Sequence, residues 1–215
     1  MSEQLVMSFG SAVAQPTVAS KAEGQLVIPE ISGLHYLPGF LTRTQQDDAL
    51  RYISDSDWMY DLERRVQHYG WRYDYRAKNI ARDMRIGPLP PWLDNIAKRL
   101  YHETELFDDV PDQAIVNEYE AGQGIAMHVD RQCFGKAIAT ISLGDAWIMD
   151  FRPRGGTSDE TKQILLEEGS ALVLVGDARD RWLHGISRRK REQCANGHWR
   201  DRRRRVSLTF RTVLL

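Results

Sequence analysis

The stretch Asn117–Asp130, NEYEAGQGIAMHVD, decides how the chain is read. It opens as a strand, breaks at the glycine-rich turn EAGQG, and ends on a histidine and an aspartate two residues apart. Glycine lets the backbone bend sharply there because it tolerates positive φ. On a strand, residues i and i+2 face the same side. His128 and Asp130 are therefore expected to aim one imidazole nitrogen and one carboxylate oxygen at a single point, a pairing that suits a metal taking mixed nitrogen and oxygen ligands.

Closing one face of such a metal takes a third ligand. His-x-Asp alone is a weak signal, since a strand histidine beside an aspartate is commonly no more than a hydrogen-bonded or solvated pair. His184, in the strand-like segment RWLHGI, lies 54 residues after Asp130 and is the preferred third ligand. His68 and His198 are the alternatives; His198 sits in NGHWRDRRRR, which reads as an exposed loop. Two histidines and one carboxylate on one face leave three positions of an octahedron open, the facial triad of non-haem Fe(II) oxygenases.

Around this stretch the second half of the chain is a run of strand signals. QAIVNEY, KAIATISL, AWIMDF, QILLEE, SALVLVG, RWLHGI and RVSLTFRTV are short, rich in β-branched or aromatic residues, and separated by Gly, Asp and Pro. Seven such segments in about a hundred residues predict an antiparallel sandwich or jelly roll. The first half differs. GLHYLPGFLT predicts a strand and turn, Thr42 or Thr44 can cap a helix through TQQDDALRYISDSD, and PLPPWLDNIAKRLYHE starts a second helix on prolines. The expected fold is α+β but mainly β: a jelly-roll, or double-stranded β-helix, core over residues 111–215. Residues 25–110 are expected to hold N-terminal helices, and residues 1–24 a loosely ordered arm.

Composition bounds the function. The 215 residues carry a net charge of −1 with 42% hydrophobic content, which excludes a bulk polycation but not a local basic face. The two cysteines, Cys133 and Cys194, form no Cys-x-x-Cys, so a thiolate zinc site and a disulfide framework are both disfavoured. No apolar run reaches membrane-spanning length and the N-terminus lacks a secretory pattern. A cytoplasmic protein without membrane contact is expected.

The C-terminal RVSLTFR places Arg205, Ser207, Thr209 and Arg211 on one strand face. A solvent-facing strand would show the same alternation. Directed inward, two permanent cations and two hydroxyls are costly without an anion. A dicarboxylate resolves that cost, since Arg can grip a carboxylate bidentately.

Together, NEYEAGQGIAMHVD, ATISLGD, VLVGDARDRWLHGI and RVSLTFR resemble, in order and spacing, the AlkB-type Fe(II)/2-oxoglutarate dioxygenases. The resemblance runs from Pro111 to the C-terminus. It implies a double-stranded β-helix, or jelly roll, in which His128, Asp130 and His184 bind Fe(II) and activate O2, with a nucleotide-recognition lid within residues 25–110. It also implies that Asn117, Tyr119, Arg205, Ser207, Thr209 and Arg211 contact 2-oxoglutarate, with Arg211 at the distal carboxylate and Arg205 nearer the chelating end. The chain departs from the family pattern at Ser207, where Asn is usual, at Ala121, where Pro is frequent, and at Gln132, where the founding member has Asp. The last change falls in the substrate pocket.

The implied reaction is oxidative demethylation of N-alkylated bases in single-stranded DNA or RNA, tRNA included, with release of formaldehyde, succinate and CO2. Hydroxylation of a tRNA nucleoside, or a protein-directed demethylase or hydroxylase activity, stands as the alternative. A base must leave the stack to reach such a site and be held by stacking. RRVQHYGWRYDYR supplies Tyr69, Trp71, Tyr73 and Tyr75 among arginines. Tyr69, Trp71, Tyr73, Gln132 and Arg152 are the expected substrate contacts. Residues 187–205 hold nine cations against two acids, a local excess of +7 that predicts a phosphate-binding edge.

Overall fold

The computed structural model describes residues 28–193 and 197–215; the expected N-terminal arm and Cys194 lie outside them. All seven strand-like segments of the second half form strands. The elements are β1 (Leu34–Leu37), α1 (Arg43–Ser54), β2 (Val66–Tyr69), α2 (Pro91–Thr104), β3 (Gln113–Tyr119), β4 (Ile125–His128), β5 (Phe134–Gly144), β6 (Trp147–Pro153) and β7 (Lys162–Leu166). There follow β8 (Ala171–Leu174), α3 (Gly176–Asp180), β9 (Trp182–Ile186), β10 (Arg191–Gln193), β11 (Trp199–Asp201) and β12 (Arg205–Val213).

Two antiparallel sheets make the jelly roll. The larger has the order β1-β8-β5-β12-β3-β2, the smaller β4-β9-β6-β7. β1 and β2, from the first half of the chain, are the edges of the larger sheet, so both halves build one sheet. Side-chain parity along β12 separates two layers. Val206, Leu208 and Phe210 are fully buried and pack with Ala114, Val116, Ile141 and Val173 against the helices. Arg205, Ser207, Thr209 and Arg211 point the other way, between the sheets, as a period of two requires. A second apolar cluster, including Trp147, Phe151, Ile164, Leu166 and Leu172, fills the remaining space between the sheets.

The helices form for local reasons and dock for global ones. The Thr42 hydroxyl accepts from the Gln45 amide while the Gln45 side chain accepts from the Thr42 amide, a reciprocal cap that starts α1. α2 begins on Pro91, where a missing N–H costs nothing. Leu93, Ile96, Ala97 and Leu100 form its buried stripe at helical spacing, and α1 contributes Ala49 and Ile53. Both stripes cover the back of the larger sheet and leave its other face free for the site.

The segment NGHWRDRRRR departs from expectation. Its strand β11 pairs with β10 as a hairpin, Glu192 opposite Arg200 and Arg191 opposite Asp201. The density of charge predicts a loop, but charged residues pair well across a hairpin when acids oppose arginines. Among the described residues no helix is long and apolar enough to cross a membrane.

Candidate active site

β4 and β9 bring the two histidines together. They pair antiparallel with His128 opposite His184, and the imidazole centroids are 4.5 Å apart. The strands approach closely because two glycines allow it. A Cβ on Gly185 would stand 2.8 Å from the Ile125 carbonyl oxygen, and one on Gly124 would stand 2.3 Å from that of Ile186. Gly122, at φ +91°, makes the preceding turn. Asp130 lies beyond the end of β4 rather than on it, and still reaches the same point: His184 Nε2 is 3.4 Å from its Oδ2. One ligand atom from each of His128, Asp130 and His184 lies within 4.8 Å of the other two. The alternatives are placed elsewhere. His68 accepts a hydrogen bond from the Tyr73 amide, and His198 is exposed beside the hairpin.

The tautomer of His128 follows from its partner. Nδ1 is 2.9 Å from the Ala126 carbonyl oxygen, which can only accept, so Nδ1 carries the proton and the Nε2 lone pair is free for a metal. Burial, reinforced by His184, lowers the His128 pKa to about 4, keeping that lone pair available at neutral pH. Burial alone would raise the Asp130 carboxyl. Arg211, whose Nη2 donates to Asp130 Oδ1 at 2.7 Å, and the two histidines hold it well below the usual carboxylate range.

A cavity of about 300 Å³ opens beside this cluster. Its floor is the inward face of β12 with Asn117 and Tyr119 of β3 and Thr140 of β5. Arg205 is 1% exposed, donates to Ser142 Oγ at 2.8 Å, and leans on the Tyr119 ring. Its Nε, and that of Arg211, are buried with no hydrogen-bond partner. Arg64 enters from the chain before β2, donates to Asn117 Oδ1 at 2.9 Å, and also lies over the Tyr119 ring. The cavity thus has three nitrogen and oxygen donors at one end and buried, under-bonded guanidinium groups along its floor.

Residues 33–211 match the 2OG-Fe(II) oxygenase superfamily. An uncharacterized protein, L905, of Acanthamoeba polyphaga mimivirus is 32% identical over 86% of this chain and 86% of its own length. The "Alkylated DNA repair protein ALKBH8 homolog" of Arabidopsis thaliana is 33% identical over 90% of this chain. The mouse "tRNA (carboxymethyluridine(34)-5-O)-methyltransferase ALKBH8" is 37% identical over 59% of it. The chain spans 61% of the Arabidopsis relative and 19% of the mouse one. The solved structure of OsALKBH1 superposes with a TM-score of 0.65 at 21% identity, covering 87% of this chain and all of that one. The chain belongs to the AlkB-type 2OG-Fe(II) oxygenases. It is an Fe(II)- and 2-oxoglutarate-dependent dioxygenase that uses O2.

The site of this AlkB-type oxygenase fits both groups. The N,N,O donor set suits Fe(II) and leaves coordination positions open. The orphaned guanidinium atoms suit a dicarboxylate. The geometry reverses one expectation drawn from the resemblance. Arg211, hydrogen-bonded to Asp130, stands at the metal end, while Arg205 occupies the deep end beside Tyr119 and Ser142. A strand running six residues from one to the other permits either order; only its direction relative to β4 decides.

Of the expected substrate contacts, Tyr73 lines the cavity and Gln132 lies on an outer cleft at its mouth. Tyr69 and Trp71 are elsewhere. Tyr69 packs edge-on against Trp92 in the helix-side core, and Trp71 donates to Asp112 at 2.8 Å. Tyr69 pairs with Ala114 on the helix-side face of the larger sheet, and Trp71, beyond the end of β2, is tied to the sheet edge by Asp112 and by its bridge to Arg85. Arg152 follows Phe151, which pairs with His184, and so points to the opposite face of the smaller sheet. Tyr75 does line the cavity, with its hydroxyl buried and unpartnered.

The arginine-rich segment is not the open basic edge its local count predicts. Arg188 pairs with Glu63, Arg189 and Arg202 with Glu192, Arg191 with Asp201, Arg200 with Asp145, and Arg204 with Glu118. Three of those acids are distant in sequence, so folding pairs six of the nine cations and lowers the excess from +7 to +4. Sequence reasoning also missed Lys78, Arg131 and Arg154, whose separate positions carry no common motif.

Proposed function

We propose that this oxygenase oxidatively demethylates N-alkylated bases in single-stranded nucleic acid, releasing formaldehyde, succinate and CO2. The observation that carries the reading is the cavity itself. It is large enough for one unstacked base, holds the His128–Asp130–His184 cluster at one end, and is walled by Tyr73 and Tyr75.

In this reading His128 Nε2, His184 and an oxygen of Asp130 hold Fe(II). Arg205 receives the distal carboxylate of 2-oxoglutarate at the deep end, and Ser207, Thr209, Asn117 and Tyr119 complete the cradle. Arg64 takes the Asn117 carbonyl oxygen, which turns the amide nitrogen of Asn117 toward the cavity as a donor. Arg211 holds the Asp130 carboxylate in its ligating orientation. The bound iron and co-substrate supply oxidative C–H hydroxylation coupled to decarboxylation. Tyr73 and Tyr75, whose rings meet edge to face, would offer the base one ring to stack on and one edge to pack against. Burial raises the Tyr75 pKa to about 12, so its free hydroxyl stays protonated and can hydrogen-bond a base edge. A hydroxylated N-methyl carbon then loses formaldehyde and returns the unmodified base.

The test is formaldehyde release from DNA and RNA oligonucleotides carrying 1-methyladenine or 3-methylcytosine, with Fe(II), 2-oxoglutarate and O2. His128→Ala serves as the blank. Release that depends on His128 supports the reading and ranks the two nucleic acids. Steady succinate formation with no formaldehyde from any of them overturns it and favours hydroxylation of a tRNA nucleoside.

A further inference from the structure

An outer cleft of about 530 Å³ shares His128 and Asp130 with the inner cavity and leads from it to the surface. Three cations line it: Lys78 from the turn after Asp74, Arg131 from the loop after β4, and Arg154 from the turn after β6. All three are exposed, and none has a carboxylate partner among the described residues. The nearby acids are committed. Asp130 is held by Arg211, Asp180 accepts from Arg179, and Asp74 accepts from the amides of Arg76 and Ala77. In the arginine-rich hairpin region, by contrast, only Lys190 and Arg203 are exposed cations without a carboxylate among the described residues.

We propose that the Lys78–Arg131–Arg154 cleft, and not the arginine-rich hairpin, is the surface that holds the phosphate backbone of a single-stranded nucleic acid. This rests on the nucleic-acid reading of the active site. The physical reason is local field. Unpaired cations around a concave mouth attract a polyanion, whereas paired guanidinium groups are already neutralised. The three come from separate turns and bracket the opening, so phosphates on either side of a base entering the cavity meet a cation. The backbone of Lys78 points the same way. It sits at φ +55°, a left-handed conformation that costs a lysine about 1 kcal/mol relative to glycine. A side chain kept at that cost, with no carboxylate partner among the described residues, faces the cleft.

The experiment measures fluorescence anisotropy of a labelled, unmodified oligothymidylate on the full chain with Mn(II) and 2-oxoglutarate, from about 50 to 200 mM salt. The triple variant Lys78→Gln, Arg131→Gln, Arg154→Gln should flatten the plot of log affinity against log salt. Each phosphate of a single strand that is no longer neutralised takes about 0.7 off the slope, so three together should change it by about 2. Lys190→Gln with Arg203→Gln should keep the wild-type slope. Lys78→Gly, which removes the backbone cost, should retain or raise the melting temperature while lowering the slope by about 0.7. It reads out the idea even if the triple variant folds poorly. A wild-type slope in Lys78→Gly and the triple variant, or the flattening in the hairpin variant instead, overturns the proposal. If the wild-type protein itself binds no oligonucleotide, the nucleic-acid reading of the active site fails first.

Discussion

Replacing Arg205 by methionine should stabilise the ligand-free protein and remove most of its response to 2-oxoglutarate. Arg205 is fully enclosed, and burial lowers its pKa from the usual 12.5 to about 10. The group stays charged at pH 7, so the shift measures the cost of holding the cation out of water. At about 1.4 kcal/mol per unit that is about 3 kcal/mol. Methionine fills a similar volume without the charge but leaves Ser142 Oγ without its donor, a penalty of about 1 kcal/mol. The net gain of about 2 kcal/mol should raise the melting temperature by about 4–8 °C in a protein of this size. The ligand response moves the other way. With 2-oxoglutarate at about 100 times its Kd, linkage stabilises the wild-type protein by about 2.7 kcal/mol. Removing one partner of a buried charged hydrogen bond costs about 2–5 kcal/mol of affinity, enough to cut that response to below about 1 kcal/mol. Thermal unfolding with Mn(II) in place of iron, with and without 2-oxoglutarate, reads both effects. A ligand-free variant that melts well below wild type would mean that Arg205 has a structural counter-charge. A variant that keeps the full 2-oxoglutarate shift would mean that the distal carboxylate binds elsewhere.

Arg211→Gln leaves the buried Asp130 carboxylate without its cation, so the metal-free protein should lose about 3 kcal/mol or more. Metal restores the missing charge, and the Mn(II)-induced rise in melting temperature should therefore exceed that of wild type; an equal rise would refute the coupling. Glu192→Ala strips the shared acid from Arg189 and the fully buried Arg202, and should cost about 3–5 kcal/mol in denaturant titration. A cost under about 1 kcal/mol would show the cluster to be dispensable. Burial lowers the His68 pKa from 6.5 to about 4. Between those values the unfolded chain binds more protons than the folded one, so stability should fall as pH drops from about 6.5 to about 4, by at most about 3 kcal/mol. His68→Gln should flatten that part of the stability–pH curve by this share. Protonation would also remove the acceptor for the Tyr73 amide, so hydrogen exchange at Tyr73 should quicken over the same range in the wild type.

Much of this protein is legible in one dimension because its signals are local. Strand period, glycine turns and proline starts depend on neighbours within a few residues, and the seven strand-like segments of the second half are all strands. The His128–Asp130 spacing carries the site for the same reason, and RVSLTFR carries the alternation that sends Arg205 and Arg211 inward while Val206, Leu208 and Phe210 meet the helices. Quantities summed over the wrong distance are the ones that mislead. The charge of residues 187–205 looks more open than it is because Glu63, Glu118 and Asp145, which offset three of its seven excess charges, are remote in sequence. Tyr69, Trp71 and Arg152 have suitable chemistry, but strand parity turns Tyr69 and Arg152 from the cavity and a hydrogen bond to the remote Asp112 holds Trp71 outside it.

Residue type and short-range periodicity were enough to specify the seven strand-like segments of the second half, the metal-ligand types and the placement of two arginines on one strand face. Which arginine stands at the metal, which cations remain free, and the meeting of Lys78, Arg131 and Arg154 in one cleft were settled by the folded chain. Those depend on strand direction and on pairing between distant segments. Coulomb interactions act through space, and until the chain folds its sequence neighbours are not its electrostatic neighbours.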